Sequence, residues 1–273
     1  MMFKDLDLDR TLSCGQVFRW KKEGDRWSGF IGGRPVTLRQ RGCDIEVIGR
    51  VTEDEVLKYF RADDDLDEIY QDIMVNCGDE RMTVILNGNR GLRIVRQDPW
   101  ECAASYVLAT FVHIPRIERM IANLCSAYGE EVEEGVMSFP GPESIASDPE
   151  VARSCGLGFR CERFVEFAKL VTKGDVDFDA LREMEYDRCI KELVKLPGIG
   201  DKVADCIALF SLDHLEAFPV DVRIKKSMKH LWGIQGSYRS VSSRSRQLFG
   251  RYAGYAQEYI YLHMRERTRR LPG

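Results

Sequence analysis

The N-terminal part of the chain alternates apolar and polar positions, which indicates β-strands. The runs "WSGFI", "RPVTLRQ" and "DIEVIG" fall within residues 12–50 and are separated by glycines, as in antiparallel strands joined by tight turns. From residue 52 onward, apolar residues recur every three to four positions, which is the period of a helix. The pattern therefore predicts a small sheet followed by a long helical region.

Capping residues mark where several of these helices begin. Thr52 and Glu55 have the spacing of a capping box. Asp98 directly precedes Pro99, as a cap precedes a first helical proline, and Pro115 opens another amphipathic segment.

The two periods together predict an α+β protein in two parts. We expect a small antiparallel β-rich N-terminal domain at residues 1–88 and a large all-helical region at residues 89–273. Within the second part, only helices are expected from Phe178 to Arg270.

The stretch "LVKLPGIGDKVADCIA" predicts two helices joined by a tight hairpin, at about residues 188–211. Pro197 and Gly198 cannot continue the first helix, and Gly200 allows a second sharp turn. Asp201 is the expected cap of the helix that follows. Such a hairpin brings backbone N–H groups and a positive helix end to a phosphate. A plain Pro-Gly turn between packed helices is the alternative.

Lys202 and Asp221 are the two candidates for chemistry near this hairpin. Lys202 lies in the first turn of the second helix, where the helix dipole disfavours an ammonium, and a neutral amine attacks a sugar carbon to give a Schiff base. Asp221 follows "FPV" at another apparent helix start, where a carboxylate stays ionised and stabilises an oxocarbenium-like transition state. Taken singly, Lys202 is equally well explained as a phosphate contact, and Asp221 as an N-cap. Together, after a DNA-binding hairpin, they favour cleavage of a glycosidic bond.

Charge distribution supports a nucleic-acid partner although the net charge of −4 alone does not. Residues 188–273 hold 16 Lys and Arg against 8 Asp and Glu, and the stretch Arg223–Arg251 holds eight basic residues and no acidic one. A basic region of this kind is the electrostatic signature of phosphate binding, with a solvated basic face as the alternative.

Composition and cysteine usage indicate the compartment. The 273 residues are 44% hydrophobic and 31% charged, which suits a soluble protein of one or two domains. No apolar run approaches the ~20 residues of a membrane span, and "MMFKDLDLDR" does not resemble a secretory signal. The nine cysteines form no Cys-x-x-Cys pair, and the four histidines lack ligand spacing. We therefore expect free thiols in a cytoplasmic protein without zinc or an iron–sulfur cluster.

The segment "LPGIGDKVADCIALFSLDHLEAFPVDVRI" resembles the catalytic segment of the 8-oxoguanine DNA glycosylases, of the helix–hairpin–helix base-excision superfamily. "LSCGQVFRW", "RQDPWECAASYVLAT" and "GLGFRCERF" resemble further segments of that family in the same order, so the similarity covers nearly the whole chain. The iron–sulfur branch of the superfamily has four cysteines after this segment, where this chain has none.

The resemblance implies a DNA glycosylase with lyase activity and assigns roles to residues. Lys202 would be the nucleophile and Asp221 would support departure of the base. The Gly15 carbonyl would accept the ring N–H that oxidised guanine has and normal guanine lacks. Cys206 and Tyr261 would sandwich the flipped base, and Gln257 would pair with its Watson–Crick edge. Without the resemblance, the last three have ordinary alternatives as core or surface positions.

The DNA-facing residues follow from the same resemblance. Phe159 would wedge into the gap, Arg116 and Arg160 would reach the orphaned cytosine, and Gly198 and Gly200 would contact phosphate. The family usually has an asparagine that fills the hole left by the flipped base, and Phe111 falls at that position in "TFVHIPRI". Arg223 replaces a frequent family histidine and retains phosphate contact.

Partners and cofactors complete these expectations. We expect damaged double-stranded DNA as the partner, no membrane, a monomer, and a location in the cytoplasm at the nucleoid of a prokaryote or in the nucleus of a eukaryote. No cofactor is expected, apart from a monovalent cation that the superfamily suggests at the Leu196 and Ile199 carbonyls. The alternatives are a monofunctional alkylated-purine glycosylase and a non-enzymatic helix–hairpin–helix DNA-binding protein. Lys202 and "GQVFRW" argue against the first, and the Lys202–Asp221 pair and the large helical region argue against the second.

Overall fold

The computed structural model describes the backbone of residues 1–270 and the side chains of residues 1–266. The sheet is an antiparallel meander in which each strand pairs with the next along the chain. Trp20 covers one face of it, and a Cβ at Gly29 would lie 2.3 Å from the indole, so only glycine fits there. The strands are β1 (Lys21–Glu23), β2 (Arg26–Ile31), β3 (Arg34–Arg41) and β4 (Asp44–Gly49).

Helices account for most of the rest of the described chain. Along the chain, α1 (Leu8–Ser13) precedes the sheet, and α2 (Glu53–Tyr59), α3 (Leu66–Cys77) and α4 (Glu80–Gly88) follow it. Next come α5 (Pro99–Leu108), α6 (Ile114–Tyr128), a hairpin of β5 (Glu131–Glu133) and β6 (Val136–Met137), α7 (Pro142–Ser147), α8 (Pro149–Ser154) and α9 (Cys161–Thr172). The C-terminal series is α10 (Phe178–Glu183), α11 (Tyr186–Leu193), α12 (Asp201–Ser211), α13 (Val222–Trp232), α14 (Tyr238–Phe249) and α15 (Ala253–Arg270).

The local signals in the sequence are confirmed. The three runs read as strands are β2, β3 and β4. The Thr52 and Glu55 side chains form the reciprocal capping box of α2, and Asp98 caps α5 with Pro99 in its first turn. The region from residue 178 to 270 contains helices and no strands. Helix α1 and the β5–β6 hairpin were not predicted, because both are too short to show a period.

The expected domain boundary at residue 88 does not match the packing. One apolar core holds the sheet, α1 and α2, and is centred on side chains such as Leu38, Val56 and Phe60. The second core holds α3 and α4 together with the later helices. The boundary falls between α2 and α3, and residues 92–95 then run alongside both cores. Composition cannot show this break, because α2 and α3 have the same helical period. Residues 271–273 of the expected helical region lie outside the described residues.

Candidate active site and nucleic-acid interface

The predicted hairpin lies between α11 and α12. Gly198 has φ +80°, and a Cβ there would lie 3.0 Å from the Val107 side chain, so both backbone and space require glycine. Gly200, and not Asp201, is the N-cap of α12. Asp201 is the first helical residue, and its carboxylate accepts from the Arg239 guanidinium at 2.9 Å. The cap prediction was therefore wrong by one position, because Gly200 has the extended backbone of a cap and the helix already begins at Asp201.

Lys202 is the second residue of α12 and is half-buried. Its Nζ lies 5.0 Å from the centre of the Tyr106 ring, and the ammonium interacts with the Cys206 thiol one turn further along. The Tyr106 hydroxyl donates to the Gln16 carbonyl oxygen at 3.2 Å, which fixes the ring. Burial raises the pKa of Cys206 to about 12 and the lysine charge opposes that rise, so the thiol is neutral beside the amine.

Asp221 is the N-cap of α13, as its position suggested. Its Oδ1 accepts the backbone N–H of Ile224 at 2.6 Å. The preceding residue, Val220, donates its backbone N–H to the Tyr238 hydroxyl at 3.3 Å. The aspartate is thus held by the start of its own helix and, through Val220, by α14.

A buried carboxylate next to Cys206 connects these elements. Asp205 accepts hydrogen bonds from the hydroxyls of Tyr186 and Tyr238, and Ser242 Oγ lies 3.4 Å from it. Burial raises the pKa of Asp205 to about 6, while its hydroxyl donors act in the opposite direction. Since Tyr238 also contacts Val220, this network joins the helix that carries Lys202 to the segment that carries Asp221. The sequence did not indicate this network, because nothing local marks Asp205 as buried.

Of the four residues predicted to recognise the base, Gly15 and Tyr261 lie next to each other, and Gln257 lies one turn before Tyr261 on α15. Gly15 has φ +105°, and a Cβ there would lie 3.8 Å from the Tyr261 hydroxyl. Gln257 is 4% exposed, and its Oε1 has no hydrogen-bond partner. Cys206 is buried, and the Arg223 guanidinium carbon lies 5.5 Å from the Tyr261 ring centre. The Gln257 amide oxygen is therefore buried and unpaired, and the Tyr261 ring lies between Gly15 and Arg223.

The "GQVFRW" segment supports this pocket structurally. The buried Gln16 side chain donates to the carbonyl oxygens of Thr11 and Arg93, each at 2.9 Å, and accepts from Val95 N–H at 2.9 Å. These bonds hold the Gly15 loop against residues 93–95. Arg19 lies 3.6 Å from the Phe30 ring centre and pairs with Glu101 at 3.2 Å, which ties the loop to α5.

Glu258 is an unexpected member of the site. It is 5% exposed, follows Gln257 on α15 and interacts with the Cys14 thiol. The charges of both Asp221 and Lys202 act on its carboxyl. Burial is the main cause that raises its pKa to about 7. The sequence offers no signal for it, since "AQEYIY" resembles any helix with one exposed acid.

Two exposed aromatic side chains form a separate surface, here called the wedge surface and defined by Phe111 and Phe159. Phe111 is 92% exposed with φ +55°, a conformation that asparagine adopts far more readily. Phe159 is 64% exposed, and the Arg160 guanidinium lies 4.3 Å from its ring centre.

The two arginines predicted to reach the orphaned base are engaged with backbone in this structure. Arg160 is buried and donates from Nε to the Thr110 carbonyl oxygen at 2.9 Å, and from Nη1 to that of Leu157 at 3.3 Å. Arg116 is exposed and donates to the Gly156 carbonyl oxygen at 3.2 Å. Arg160 therefore links the two loops that present the wedge surface.

Only part of the basic stretch from Arg223 to Arg251 carries unpaired charge. Arg239, Arg246 and Arg251 pair with acids on other elements. Within the described side chains, no ion-pair partner is found for the exposed lysines of α13, which are Lys225, Lys226 and Lys229. The positive surface is thus concentrated on the helix that Asp221 caps.

The remaining features of the described residues concern metal ions, clefts and membrane spans. No group of three His, Cys, Asp or Glu side chains within the described part of the chain has the geometry to hold a metal ion. A cleft of about 480 Å³ lies between the sheet and α5, and its lining includes Arg19, Glu101 and Arg96 but not Lys202 or Asp221. None of the described helices has both the length and the apolar character that crossing a bilayer requires.

Comparison with known proteins gives consistent matches. Residues 2–103 match the family model described as the 8-oxoguanine DNA glycosylase N-terminal domain. The chain is 30% identical to the N-glycosylase/DNA lyase OGG1 of Arabidopsis thaliana, over 94% of this chain and 77% of that protein. It is 27% identical to a probable N-glycosylase/DNA lyase of Methanothermobacter thermautotrophicus, over 96% of this chain and 94% of that one. A crystal structure of the Clostridium acetobutylicum 8-oxoguanine glycosylase/lyase, in complex with double-stranded DNA containing cytosine opposite 8-oxoguanine, superposes with a TM-score of 0.89 at 28% identity, covering 98% of both chains.

Proposed function

The chain belongs to the 8-oxoguanine DNA glycosylase family, and on that premise we propose that it excises 8-oxoguanine from double-stranded DNA and then cleaves the strand as a lyase. Relatives that match nearly the whole chain are named for both activities. The residues of this chain supply a nucleophile, an anionic residue and a base pocket within one region.

Lys202 is the proposed nucleophile. Its neutral amine attacks C1′ of the deoxyribose as the bond to the base breaks, and the resulting Schiff base leads to strand cleavage by elimination. Asp221 is the proposed electrostatic partner, because its carboxylate offsets positive charge that develops on the sugar. Tyr106 and Cys206 confine the lysine on two sides.

Recognition of the oxidised base rests on groups that are unpaired or sterically restricted in the pocket. The Gly15 carbonyl accepts the extra ring N–H of 8-oxoguanine, whereas normal guanine presents a lone pair there and is rejected. Gln257, whose Oε1 has no partner in the structure, pairs with the Watson–Crick edge. Tyr261 and Cys206 enclose the two faces of the flipped base.

The hairpin and α13 would hold the DNA backbone. Gly198 and Gly200 present backbone N–H groups to phosphate, and Arg223 with the α13 lysines adds positive charge. The Leu196 and Ile199 carbonyl oxygens remain the predicted ligands of a monovalent cation. The predicted monomeric state and the predicted location with the DNA of the cell are also part of this proposal.

The observation that carries the proposal is the position of Lys202, which is half-buried and interacts with Cys206. The charges of Lys202 and Asp221 both influence the buried Glu258 carboxyl, so the two residues lie in the same part of the protein. Borohydride reduction of the reaction on an 8-oxoguanine duplex tests it. The unmodified protein should give a covalent adduct, and Lys202→Gln should bind the duplex but give neither adduct nor released base. Lys191→Gln, an exposed lysine on α11, is the matched control and should behave as the unmodified protein. An adduct with Lys202→Gln would assign the nucleophile elsewhere.

A further inference from the structure

Glu258 is a buried acid with no assigned task. It lies on α15 and is 5% exposed, and its Oε2 has no hydrogen-bond partner. No cation lies within ion-pair distance of it among the described side chains. A buried carboxylate without a compensating charge is costly and persists only with a reason. Four ionisable groups influence the pKa of Glu258: Cys14, Asp221, Arg265 and Lys202. The charge of Glu258 in turn raises the pKa of Cys206, Tyr106 and Tyr261.

The nucleophile in the same pocket has a complementary need. Lys202 must give up a proton before its nitrogen can attack the sugar, since an ammonium has no lone pair. Asp221 is unsuited as acceptor, because its role requires that it remain ionised. The Cys206 thiol interacts both with Lys202 and with the charge of Glu258. A thiol in that position can take the lysine proton while it passes its own proton on.

We propose that Glu258 is the proton acceptor for Lys202, so that the carboxylate converts the ammonium into the nucleophilic amine before attack. This inference rests on the proposed function. In the step, an Nζ–H bond breaks and its electron pair stays on nitrogen. The proton, relayed by the Cys206 thiol, ends on a Glu258 carboxylate oxygen. An ammonium and a carboxylate thus become an amine and a carboxylic acid, with no change in total charge.

The low dielectric of the pocket and the raised pKa of Glu258 both support this assignment. Replacement of two buried charges by a neutral pair is favourable in a pocket of low dielectric. Burial raises the pKa of Glu258 to about 7, so the acid and its anion are both populated near neutrality, as an efficient proton acceptor requires. The Cys14 thiol, which donates to the Thr11 carbonyl oxygen at 3.2 Å, interacts with the carboxyl and opposes the rise of its pKa.

The test measures single-turnover borohydride trapping on a duplex with a preformed abasic site, from mildly acidic to mildly alkaline pH. This substrate needs the lysine chemistry and no base recognition. In the unmodified protein the rate should rise with pH and level off as Glu258 ionises near neutrality. Glu258→Gln should trap about ten- to hundredfold more slowly at neutral pH, and its rate should keep rising with pH where the unmodified protein has levelled. A role in packing alone would lower the rate equally at every pH.

Cys14→Ala provides a second variant that keeps the carboxyl. Loss of the thiol removes an interaction that lowers the pKa of Glu258, so the acid limb of the profile should move to higher pH. Cys125→Ala, a buried thiol on α6, is the matched control and should leave the profile unchanged. If Glu258→Gln keeps the acid limb of the unmodified protein, or falls uniformly, the inference is overturned. If Glu258→Gln does not fold, the inference is overturned when the acid limb of the Cys14→Ala pH profile stays where it is in the unmodified protein. No adduct with the unmodified protein would instead refute the proposed function itself.

Discussion

The Tyr238 hydroxyl lies 3.3 Å from the backbone nitrogen of Val220, the residue before Asp221. The same hydroxyl donates to the buried Asp205 carboxylate, three residues after Lys202 on α12. One side chain on α14 therefore connects the segments that carry the two proposed reacting groups.

Tyr238→Phe should lower both stability and base release. Loss of two buried hydrogen bonds, one to a charged group, costs on the order of 2–3 kcal/mol in unfolding free energy. The rate of single-turnover excision should fall with little change in duplex affinity, because Asp221 loses its support while the DNA-facing side chains stay in place. Urea unfolding and excision assays measure the two effects. Tyr128→Phe removes a hydroxyl that donates to the Asp148 carbonyl oxygen, and it should leave excision unchanged. Equal excision rates in the two variants would refute the connection.

Asp221→Asn should fold normally and lose excision by orders of magnitude. Asparagine is as good an N-cap as aspartate, so α13 still begins at Val222. The amide cannot offset positive charge on the sugar. Circular dichroism and single-turnover base release check the two parts, and near-normal excision at neutral pH would remove Asp221 from the mechanism.

Glu258 should make the folded protein less stable as pH rises toward neutrality. Burial raises its pKa from 4.5 to about 7, so between these values the folded state holds a proton that the unfolded state has lost. The free energy of unfolding then falls with increasing pH across this window and levels off above it. The Glu258→Gln variant lacks this pH-dependent loss of stability. Near pH 8 its free energy of unfolding should exceed that of the unmodified protein by on the order of 2–3 kcal/mol, and near pH 4 the difference should be much smaller.

Urea unfolding across that range measures the difference. The exposed Glu130→Gln is the control and should follow the unmodified protein at each pH. Parallel curves for Glu258→Gln and the unmodified protein would mean that the Glu258 carboxyl ionises as easily in the folded state as in the unfolded state.

Features set by neighbouring residues were predictable from the sequence, and features set by distant residues were not. The capping box of Thr52 and the hairpin at Gly198 depend on a few adjacent positions, so pattern alone locates them. Lys202 and Asp221 were found because both begin helices. The burial of Glu258 depends on Cys14 and α12, more than forty residues away along the chain, and no local period indicates it. The same holds for Asp205, whose partners lie on α11 and α14.

DNA affinity should fall steeply with salt, and the slope should depend on the α13 lysines. Each lysine that neutralises a phosphate releases about one counterion, so replacing Lys225, Lys226 and Lys229 by glutamine should reduce the slope of log K against log salt by up to about three. Arg251→Gln is the matched control, because its guanidinium is paired with Glu68 and Asp72. Fluorescence anisotropy at several salt concentrations gives the slopes. A slope unchanged in the triple variant would mean that α13 does not contact phosphate.

The identity of the opposite base should matter less to this protein than to family members with asparagine at the position of Phe111. A phenyl ring stacks in the gap but cannot hydrogen-bond cytosine. Arg160 donates to the Thr110 and Leu157 carbonyl oxygens, so reading cytosine would require that it first give up those bonds. One missing contact to a base edge is worth roughly 1–3 kcal/mol, or about ten- to hundredfold in preference. We therefore expect excision of 8-oxoguanine opposite cytosine and opposite adenine at more similar rates than in those family members.

Phe111→Asn should shift the preference toward cytosine, because asparagine restores a hydrogen-bonding side chain and suits the φ of +55° better than phenylalanine. Single-turnover excision on four duplexes that differ only in the opposite base measures the shift. Val84→Asn replaces another exposed apolar residue, on α4, and should leave the four rates unchanged. A strong cytosine preference in the unmodified protein would indicate that Arg116 or Arg160 is released from its carbonyl partners on DNA binding.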